Sequence, residues 1–361
     1  MTRPTRLLII TPTLECGGAE RYVKTICENL DPGKFIVTLA IVNNSNPFYR
    51  IDNSHVDVRD LGCTAVRKSL PAILSLVHAS KPDIIYSTAN HLNLFLAIHR
   101  KKLKGIPLVF RESSIISVNS SHAKFPLVYK SLLRIFYRRA DMIICQSAAM
   151  QEDLLRSTGA KRNRTSVIHN PVAEPRVLVN EKTRDIPAFI SVGRLSPEKG
   201  YDRLLDIMAT LSFPFYYAIY GEGEMRSALQ EKIDQLQLGG KVFLKGVKED
   251  PYADAGAIDI MLMGSLYEGF PNVLLEAGIR GIPAIAFDAP GGIAEIIRDG
   301  RNGYLVENDD REMFAGRIRQ LLKDPCDRES IIQMTRERFS IEAHMRRLEL
   351  MFQGLAATTA G

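Results

Sequence analysis

The sequence has no tryptophan and few cysteines. Its five cysteines are scattered and include no Cys-x-x-Cys pair. The sequence therefore predicts neither a disulfide framework nor a cysteine zinc site, and it favours a reducing, cytoplasmic setting. The seven histidines show no ligand spacing, and no Asp-x-Asp motif is present. We therefore expect a protein that needs no metal ion.

Long apolar runs are also absent. A spanning helix needs about 20 mostly apolar residues, and no stretch of the chain approaches that length. Near the N-terminus the apolar run covers only residues 7–10 and is followed by Pro12, which is too short for the core of a signal peptide. These features predict a cytoplasmic protein.

What is present is the composition of a folded globular protein. Hydrophobic residues make up 45% and charged residues 24% of the 361 residues, and a chain of this length can hold two domains with separate cores. Residues 1–170 carry 24 Lys and Arg against 12 Asp and Glu, whereas residues 171–361 carry 23 against 29. A basic first half indicates contact with a polyanion or an anionic membrane. Nucleic acid is the rival partner, but no nucleic-acid motif is present, so we expect no nucleic acid.

Short β-branched runs alternate with helical patterns, which is typical of parallel sheets crossed by helices. The predicted strands lie near 6–11, 36–42, 55–58, 83–87, 107–110, 141–145, 165–168, 187–192, 215–220, 241–244, 258–263, 283–287 and 303–306. The predicted helices lie near 17–30, 69–80, 90–101, 123–139, 147–157, 201–211, 223–237, 272–280, 292–298, 309–322, 327–337 and 340–354.

A segment rich in proline and charge, residues 171–186, lacks helical periodicity, and we interpret it as a linker. It separates an N-terminal domain, 1–170, from a C-terminal domain, 187–361, whose last helix has the option of packing back on the first domain. The expected fold class is α/β, with two doubly wound, Rossmann-like domains facing across a cleft. In such sheets ligands bind beyond the carboxyl ends of the strands.

The region 258–281 carries the strongest local signal. Residues 258–263 are an apolar run typical of a buried strand, and a turn leads to Pro271, which suits the first position of a helix. The free N–H groups and partial positive charge of such a helix form an anion site. Glu268 precedes the helix and Glu276 lies about one turn inside it. A ligand with hydroxyl groups as well as negative charge, such as a nucleotide sugar, would suit both carboxylates.

The stretch EGFPNVLLEA at 268–277 resembles the retaining glycosyltransferases of the GT-B fold, glycosyltransferase family 4, which include many bacterial polysaccharide transferases. Further matches stand in the expected order: the phosphate-loop-like SVGRLSPEKG at 191–200, strand ends at 220–224 and 243–247, and closing turns at 290–295 and 299–303. Together they cover most of residues 186–306. The N-terminal half matches mainly through Gly17-Gly-Ala-Glu20.

The resemblance implies a metal-independent enzyme of surface polysaccharide biosynthesis, without a cofactor. It would move a sugar from a nucleotide sugar, such as a UDP-hexose or UDP-N-acetylhexosamine, to a glycan or lipid-linked glycan acceptor. Arg194 and Lys199 would bind the diphosphate and Glu268 would lie beside the donor sugar, so these three are the expected catalytic residues. Glu276 would accept hydrogen bonds from the ribose. The other expected donor contacts are Gly17, Gly18, Gly193, Val247, Gly269, Phe270, Val273 and Leu274.

Two features leave alternatives open. Gly17 and Gly18 either let the backbone approach a ligand closely or ease a tight turn from strand to helix. The resemblance favours the ligand, with this loop facing the donor. On the acceptor side, many relatives have a histidine after the strand at 107–110, where this chain has Arg111 and Glu112. These two residues, or His91, are the candidate acceptor contacts.

The helix predicted between His122 and Ala140 is amphipathic. Its basic face consists of Lys130, Arg134 and Arg138, and its apolar stripe consists of Phe125, Val128, Leu132, Ile135 and Phe136. We expect the stripe to pack on the sheet of the N-terminal domain. The basic face would remain free for peripheral contact with the inner face of an anionic membrane.

Two other functions share the same two-domain plan. A non-hydrolysing sugar-nucleotide epimerase would turn over a UDP-sugar without an acceptor, and the EGFPNVLLE stretch favours a transferase over it. A non-catalytic nucleotide-sugar-binding subunit would bind the donor without transfer. The presence of all four residues Arg194, Lys199, Glu268 and Glu276 favours an enzyme.

Overall fold

The structure is a computed structural model that describes residues 3–121, 124–175 and 184–360. The chain divides into two compact units. Unit 1 comprises Met1–Pro171 together with Ile341–Gly361, and unit 2 comprises Val172–Ser340. In the part of the chain that the structure describes, no helix is both long enough and apolar enough to span a membrane.

Unit 1 is built on a seven-stranded parallel sheet with the order β3-β2-β1-β4-β5-β6-β7. Its strands are β1 Thr5–Thr11, β2 Phe35–Ile41, β3 Val56–Asp60, β4 Ile84–Ser87, β5 Leu108–Arg111, β6 Met142–Cys145 and β7 Thr165–Val167. Its helices before the chain leaves for unit 2 are α1 Gly18–Asn29, α2 Leu70–Ser80, α3 Asn90–Ile98, α4 Ile116–Ser121, α5 Pro126–Phe136 and α6 Ala148–Thr158. The strand order reverses between β1 and β4, which defines a doubly wound sheet.

Unit 2 repeats this plan with a six-stranded parallel sheet, ordered β10-β9-β8-β11-β12-β13. Its strands are β8 Ala188–Val192, β9 Tyr216–Tyr220, β10 Val242–Gly246, β11 Ile260–Met263, β12 Ala284–Phe287 and β13 Gly303–Val306. Its helices are α7 Tyr201–Ala209, α8 Arg226–Gln235, α9 Pro251–Ala255, α10 Asn272–Gly278, α11 Ile293–Ile296, α12 Arg311–Lys323 and α13 Arg328–Phe339. Here the order reverses between β8 and β11.

The central strands are apolar on both faces because helices cover both sides of each sheet. In β1, residues 7–10 are at most 1% exposed, and in β11 residues 260–262 are equally buried. Burial of this kind, at about 25 cal/mol per Å² of apolar surface, is the main favourable term in forming each core.

The last helix, α14 (Ile341–Ala360), belongs to unit 1. Its Leu348 and Phe352 are fully buried in the same apolar core as β1 and β2. The Phe352 ring meets Phe35 and Tyr86 edge-on, with centroids 6.1 and 5.3 Å apart. Unit 1 is therefore assembled from both ends of the chain.

The predicted fold class, two doubly wound α/β domains, is confirmed. All thirteen predicted strands are found, within a few residues of their expected limits. Two short helices, α4 and α9, were not predicted, and the helix predicted at 123–139 is observed as α5, with residues 122–123 outside the described part. Of the predicted linker at 171–186, residues 176–183 also lie outside the described residues.

Candidate functional site

The two loops that carry the strongest sequence signals in unit 2 leave adjacent strands. Strand β8 pairs with β11, where Ile260 lies opposite Phe189. The loop at 193–200 follows β8 and the loop at 264–271 follows β11, so both begin at the carboxyl edge of the sheet where the strand order reverses. This is the position at which doubly wound sheets bind ligands.

The two loops touch through glycines. Gly200 has a left-handed backbone, with φ of +59°, and a Cβ there would overlap the carbonyl oxygen of Gly264. Only glycine permits both the conformation and the close approach. Arg203, on the helix that starts after Gly200, fixes the second loop by donating to the carbonyl oxygens of Gly264 and Ser265, each at 2.7 Å.

This contact brings Lys199 to Glu268. Lys199 Nζ donates to Glu268 Oε1 at 2.6 Å, and the hydroxyl of Ser265 donates to the same oxygen at 2.7 Å. The side chains of Lys199 and Glu268 are 24% and 13% exposed, so the ion pair is partly buried but still accessible to solvent. Sequence reasoning found the lysine and the glutamate but missed Ser265, although this serine directly follows Gly264 in the strongest stretch.

Arg194 lies on the same loop but is exposed. Among the described residues it has no ion-pair or hydrogen-bond partner for its guanidinium. The neighbouring Gly193 is packed closely, because a Cβ there would come within 3.0 Å of the Tyr201 hydroxyl and 3.6 Å of Lys199 Cε. The loop therefore carries one cation held by a carboxylate and one that is available to a ligand.

Helix α10 begins at Asn272, with Pro271 as the residue before its first turn. The prediction that Pro271 is the first helical residue is therefore wrong by one position: Pro271 has ψ of 105°, which is extended, and its carbonyl accepts the first bond, from the Leu274 N–H at 3.1 Å. The helix also ends at Gly278, two residues before the predicted limit.

The remaining predicted donor contacts of unit 2 differ in exposure. Phe270 and Leu274 are buried, at 5% and 3% exposed, and the Phe270 ring packs edge-on against Phe339. Gly269, Val273 and Glu276 are half-buried, while Val247 is 61% exposed at the carboxyl end of β10. The exposed and half-buried residues lie at the surface of the loop, whereas the buried Phe270 and Leu274 side chains pack beneath it.

In unit 1 the predicted acceptor residue Arg111 ends strand β5 and Glu112 follows it, and both are 1% exposed. The Arg111 guanidinium lies 3.6 Å from the ring centroid of Tyr22, and its Nη2 donates to Asn170 Oδ1 at 2.6 Å. Its Nη1 is buried and has no hydrogen-bond partner in the described part of the chain. The Ser87 hydroxyl, at the end of the neighbouring β4, is likewise buried without a partner.

Glu112 is bonded on both carboxylate oxygens. Oε1 accepts from Asn93 Nδ2 at 2.6 Å and from the Tyr137 hydroxyl at 2.7 Å, and Oε2 accepts from Asn90 Nδ2 at 3.0 Å. Burial raises the pKa of Glu112, and these hydrogen bonds partly oppose that rise. The buried carboxylate ties α3 and the turn after α5 to the sheet, which is a positioning role.

The other residues predicted in unit 1 lie at the same carboxyl edge. Gly17 precedes α1, and a Cβ there would overlap the Glu20 carboxylate; Gly18 is the first residue of α1 and is exposed. His91, in the first turn of α3, is also exposed.

A buried histidine that sequence reasoning did not single out lies in α14. His344 Nδ1 is 2.8 Å from the carbonyl oxygen of His169, which can only accept, so Nδ1 carries the proton. Nε2, 3.1 Å from the Tyr22 hydroxyl, then accepts from that group, and Tyr22 accepts from Tyr86. Burial lowers the pKa of His344 to about 4, and the nearby Arg111 charge adds to the effect.

Within residues 3–121, 124–175 and 184–360, no cluster of three or more His, Cys, Asp and Glu side chains is arranged to hold a metal ion. The groups that gather at the carboxyl edge of unit 2 are a lysine, an arginine, a glutamate and a serine.

The family described as glycosyl transferases group 1 matches residues 178–338, and glycosyltransferase family 4 matches residues 16–174. The two matches follow each other along nearly the whole chain and correspond closely to its two sheets. The chain therefore belongs to the glycosyltransferases that combine these two domains, and it is an enzyme that transfers a glycosyl group. The predicted family is confirmed.

Particular relatives agree with this assignment. The chain is 26% identical to the amylovoran biosynthesis glycosyltransferase AmsD of Erwinia amylovora, over 91% of this chain and 92% of that protein. It is 27% identical to the N-acetylgalactosamine-N,N'-diacetylbacillosaminyl-diphospho-undecaprenol 4-alpha-N-acetylgalactosaminyltransferase of Campylobacter jejuni, over 88% and 90%.

Solved structures show the same fold at lower identity. Anabaena HepE, in complex with UDP, superposes with a TM-score of 0.81 at 20% identity, covering 97% of this chain and all of that one. The lipopolysaccharide outer core galactosyltransferase WaaB gives 0.74 at 20%, covering 99% of this chain and all of that one. These likenesses confirm the predicted GT-B fold.

Proposed function

We propose that this enzyme moves a hexosyl or N-acetylhexosaminyl group from a UDP-sugar to a glycan or lipid-linked glycan, in the synthesis of a surface polysaccharide. The names of AmsD and of the Campylobacter transferase support this substrate class, and the UDP bound to HepE supports the nucleotide. The reaction would retain the configuration of the transferred sugar and would need no metal ion.

The observation that carries the proposal is the contact of Lys199 with Glu268 at the reversal point of the unit 2 sheet. A departing UDP develops negative charge on its diphosphate. Lys199 and the exposed Arg194 would stabilise that charge, and fixed donors of this kind are worth about 2.7–4 kcal/mol of barrier each. Glu268 would hold Lys199 in place before the donor binds and would accept from a sugar hydroxyl afterwards.

The remaining donor contacts follow from exposure. The half-buried Glu276 would accept from the ribose hydroxyls, and the exposed Val247 would contact the uracil base. Gly269 lies next to Glu268 in the same loop and is the expected neighbour of the donor sugar. Gly193 keeps the loop after β8 close enough for its cations to reach the diphosphate.

In the proposed chemistry the protein's side chains stabilise charge and form no covalent bond with the sugar. The bond between the anomeric carbon and the phosphate oxygen breaks, and an oxocarbenium-like state forms. The acceptor hydroxyl attacks from the face that the diphosphate leaves, and the leaving phosphate oxygen takes the acceptor's proton. This sequence requires cations that stabilise the diphosphate, and it requires no protein nucleophile.

We propose that unit 1 holds the acceptor. The support is the pair of buried polar groups without partners, Arg111 Nη1 and the Ser87 hydroxyl, at the ends of neighbouring strands. An unpaired buried donor costs about 1–3 kcal/mol, so a ligand oxygen that reaches them gains that energy. In this arrangement Glu112 positions β5, while Arg111 contacts the acceptor, with the exposed His91 as a further contact.

We also propose that the enzyme works at the inner face of the membrane. The net positive charge of the first half supports this, and α5 adds a second reason. The expectation that its whole apolar stripe packs on the sheet is wrong: Phe125, Val128 and Ile135 are 65%, 59% and 58% exposed, whereas Leu132 and Phe136 are half-buried. The side of α5 that faces the domain carries the buried Leu133 and the half-buried Tyr129, and the buried Tyr137 follows in the next turn; the two tyrosines bond to Asn90 and Glu112.

A thermal-shift screen of nucleotide sugars against the whole chain tests the donor, followed by transfer assays with the selected donor. We expect UDP and one UDP-sugar to raise Tm and other nucleotides to have little effect. Conversion of the UDP-sugar to an epimer without any acceptor would contradict the proposal, as would donor binding without transfer to any lipid-linked glycan.

A further inference from the structure

A small basic pocket lies in unit 1 at the amino ends of β6 and β7, at the edge of the sheet opposite Arg111. Its volume is about 190 Å³. Tyr137, Ala140 and Ile143 are buried and form its floor. Its rim consists of Arg138, Gly159, Ala160, Lys161 and Arg164.

Three cations converge on this pocket without a counter-charge. Within the described part of the chain, no carboxylate lies within ion-pair distance of Arg138, Lys161 or Arg164. Their neighbour Arg162, by contrast, pairs with Glu152. Three like charges around one small cavity repel each other unless an anion binds among them.

The rim is fixed rather than loose. Arg164 Nη1 lies 3.3 and 3.4 Å from the carbonyl oxygens of Arg138 and Ala140. Gly159 ends α6 in the left-handed conformation, with φ of +65°, and a Cβ there would come within 2.8 Å of Arg138 Nη2. Because Gly159 has no side chain, the Arg138 guanidinium can lie against it on the rim of the pocket.

We infer that this pocket binds the phosphate group of an anionic lipid headgroup. A phosphate offers several acceptor oxygens to the Arg138, Lys161 and Arg164 donors, and arginine matches its geometry in a bidentate fashion. The inference rests on the proposed work at a membrane and names the lipid chemistry that such docking would recognise.

The apolar edge of α5 identifies the lipid as the source of the phosphate. Leu127 and Arg134 are spaced at i and i+7, so they lie on one line along the surface of α5, and Arg138 follows in the 3-10 turn Tyr137–Arg139 that leads to the pocket. Leu127 is 81% exposed, and Val128 and Ile135, about a quarter turn away on one side, are exposed as well. A helix with exposed apolar side chains beside basic ones suits the boundary between headgroups and acyl chains. A soluble phosphate ester would make no use of those apolar groups.

Vesicle flotation of the whole chain tests the inference with three compositions: phosphatidylcholine alone, phosphatidylcholine with phosphatidylglycerol, and phosphatidylcholine with cholesteryl hemisuccinate at matched surface charge. In the last composition the net negative charge resides on carboxylates and not on phosphates. We expect strong binding only to phosphatidylglycerol vesicles. Lys161→Ala should weaken it about 5-fold and Lys161→Glu about 30-fold. The Lys161 side chain is exposed and makes no hydrogen bond or ion pair with the described residues, so both variants should fold.

A matched control removes two exposed cations elsewhere, in the variant Arg319→Ala/Lys323→Ala on α12. It should float like the wild type, and the Tm shift with UDP should be unchanged in every variant, which separates failure of this pocket from failure of the donor site. Equal binding to the carboxylate vesicles, or an unchanged Lys161→Glu variant, would overturn the pocket. A Tm shift with inorganic phosphate that needs Lys161, without vesicle binding, would overturn the lipid assignment.

Discussion

Lys199 and Glu268, which are 69 residues apart in the sequence, meet with Nζ 2.6 Å from Oε1 at the carboxyl edge of the unit 2 sheet. The pair neutralises a half-buried carboxylate before any ligand is present. When a diphosphate binds, the lysine gains a second anion, so the two residues should act as a unit. Removal of the Lys199 ammonium or of the Glu268 carboxylate therefore leaves the other side chain without its ion-pair partner.

The first prediction concerns the cations. Lys199→Ala and Arg194→Ala should each lower kcat by about 100-fold or more at saturating UDP-sugar, because each removes a donor from the departing diphosphate. Lys323→Ala, which removes an exposed lysine from α12, is the matched control. Steady-state kinetics with circular dichroism to verify folding measures this, and a near-normal kcat in either variant would refute its role.

The contact between these residues depends on features that sequence patterns do not encode. The motif order located Lys199 and Glu268, and the alternation of apolar runs located every strand. Ser265 was not predicted because a serine after a strand has no distinctive pattern. Its hydrogen bond to Glu268 belongs to a loop whose position depends on the close approach of Gly200 to Gly264. The helices α4 and α9, six and five residues long, are too short to show helical periodicity.

The amphipathic helix α5 shows a second limit. Periodicity reveals that a helix has faces of different character, but not which face the protein covers. The half-buried Tyr129 and the buried Tyr137 face inward because their hydroxyls donate hydrogen bonds to Asn90 and Glu112, which lie far away in the sequence. The more apolar Leu127 and Val128 remain exposed.

The second prediction separates the two glutamates. Glu276→Gln should weaken binding of free UDP about 10-fold, since a charge-assisted hydrogen bond to the ribose contributes about 1.5–3 kcal/mol. Glu268→Gln should leave UDP affinity within about 3-fold while lowering kcat strongly. Calorimetry with UDP alone measures the first effect and transfer assays the second. If UDP affinity falls with Glu268→Gln and not with Glu276→Gln, the two roles must be exchanged.

The third prediction concerns metal ions. Activity should survive treatment with EDTA, because Lys199 and Arg194 supply the positive charge that a divalent ion would otherwise bring to the diphosphate. Initial rates before and after chelation, with and without added Mg²⁺ or Mn²⁺, measure this. Complete loss of activity that either ion restores would rule out the metal-free mechanism.

The fourth prediction concerns pH and His344. Its pKa in the folded protein is lowered from 6.5 to about 4 by burial. Between these values the unfolded chain binds a proton that the folded chain excludes. The contribution of His344 to the free energy of unfolding is therefore fully present above pH 6.5. As the pH drops toward 4, this contribution is lost, which lowers the free energy of unfolding by about 3 kcal/mol.

Urea unfolding at intervals from pH 7.5 to pH 4 measures that loss, and His344→Gln is the matched comparison. Glutamine keeps a donor for the His169 carbonyl and an acceptor for the Tyr22 hydroxyl, but it takes up no proton. The variant should be less stable at neutral pH because it packs imperfectly, yet its stability should fall less steeply between pH 6.5 and 4. Parallel curves for the two proteins across this range would show that protonation of His344 is not what destabilises unit 1 in acid.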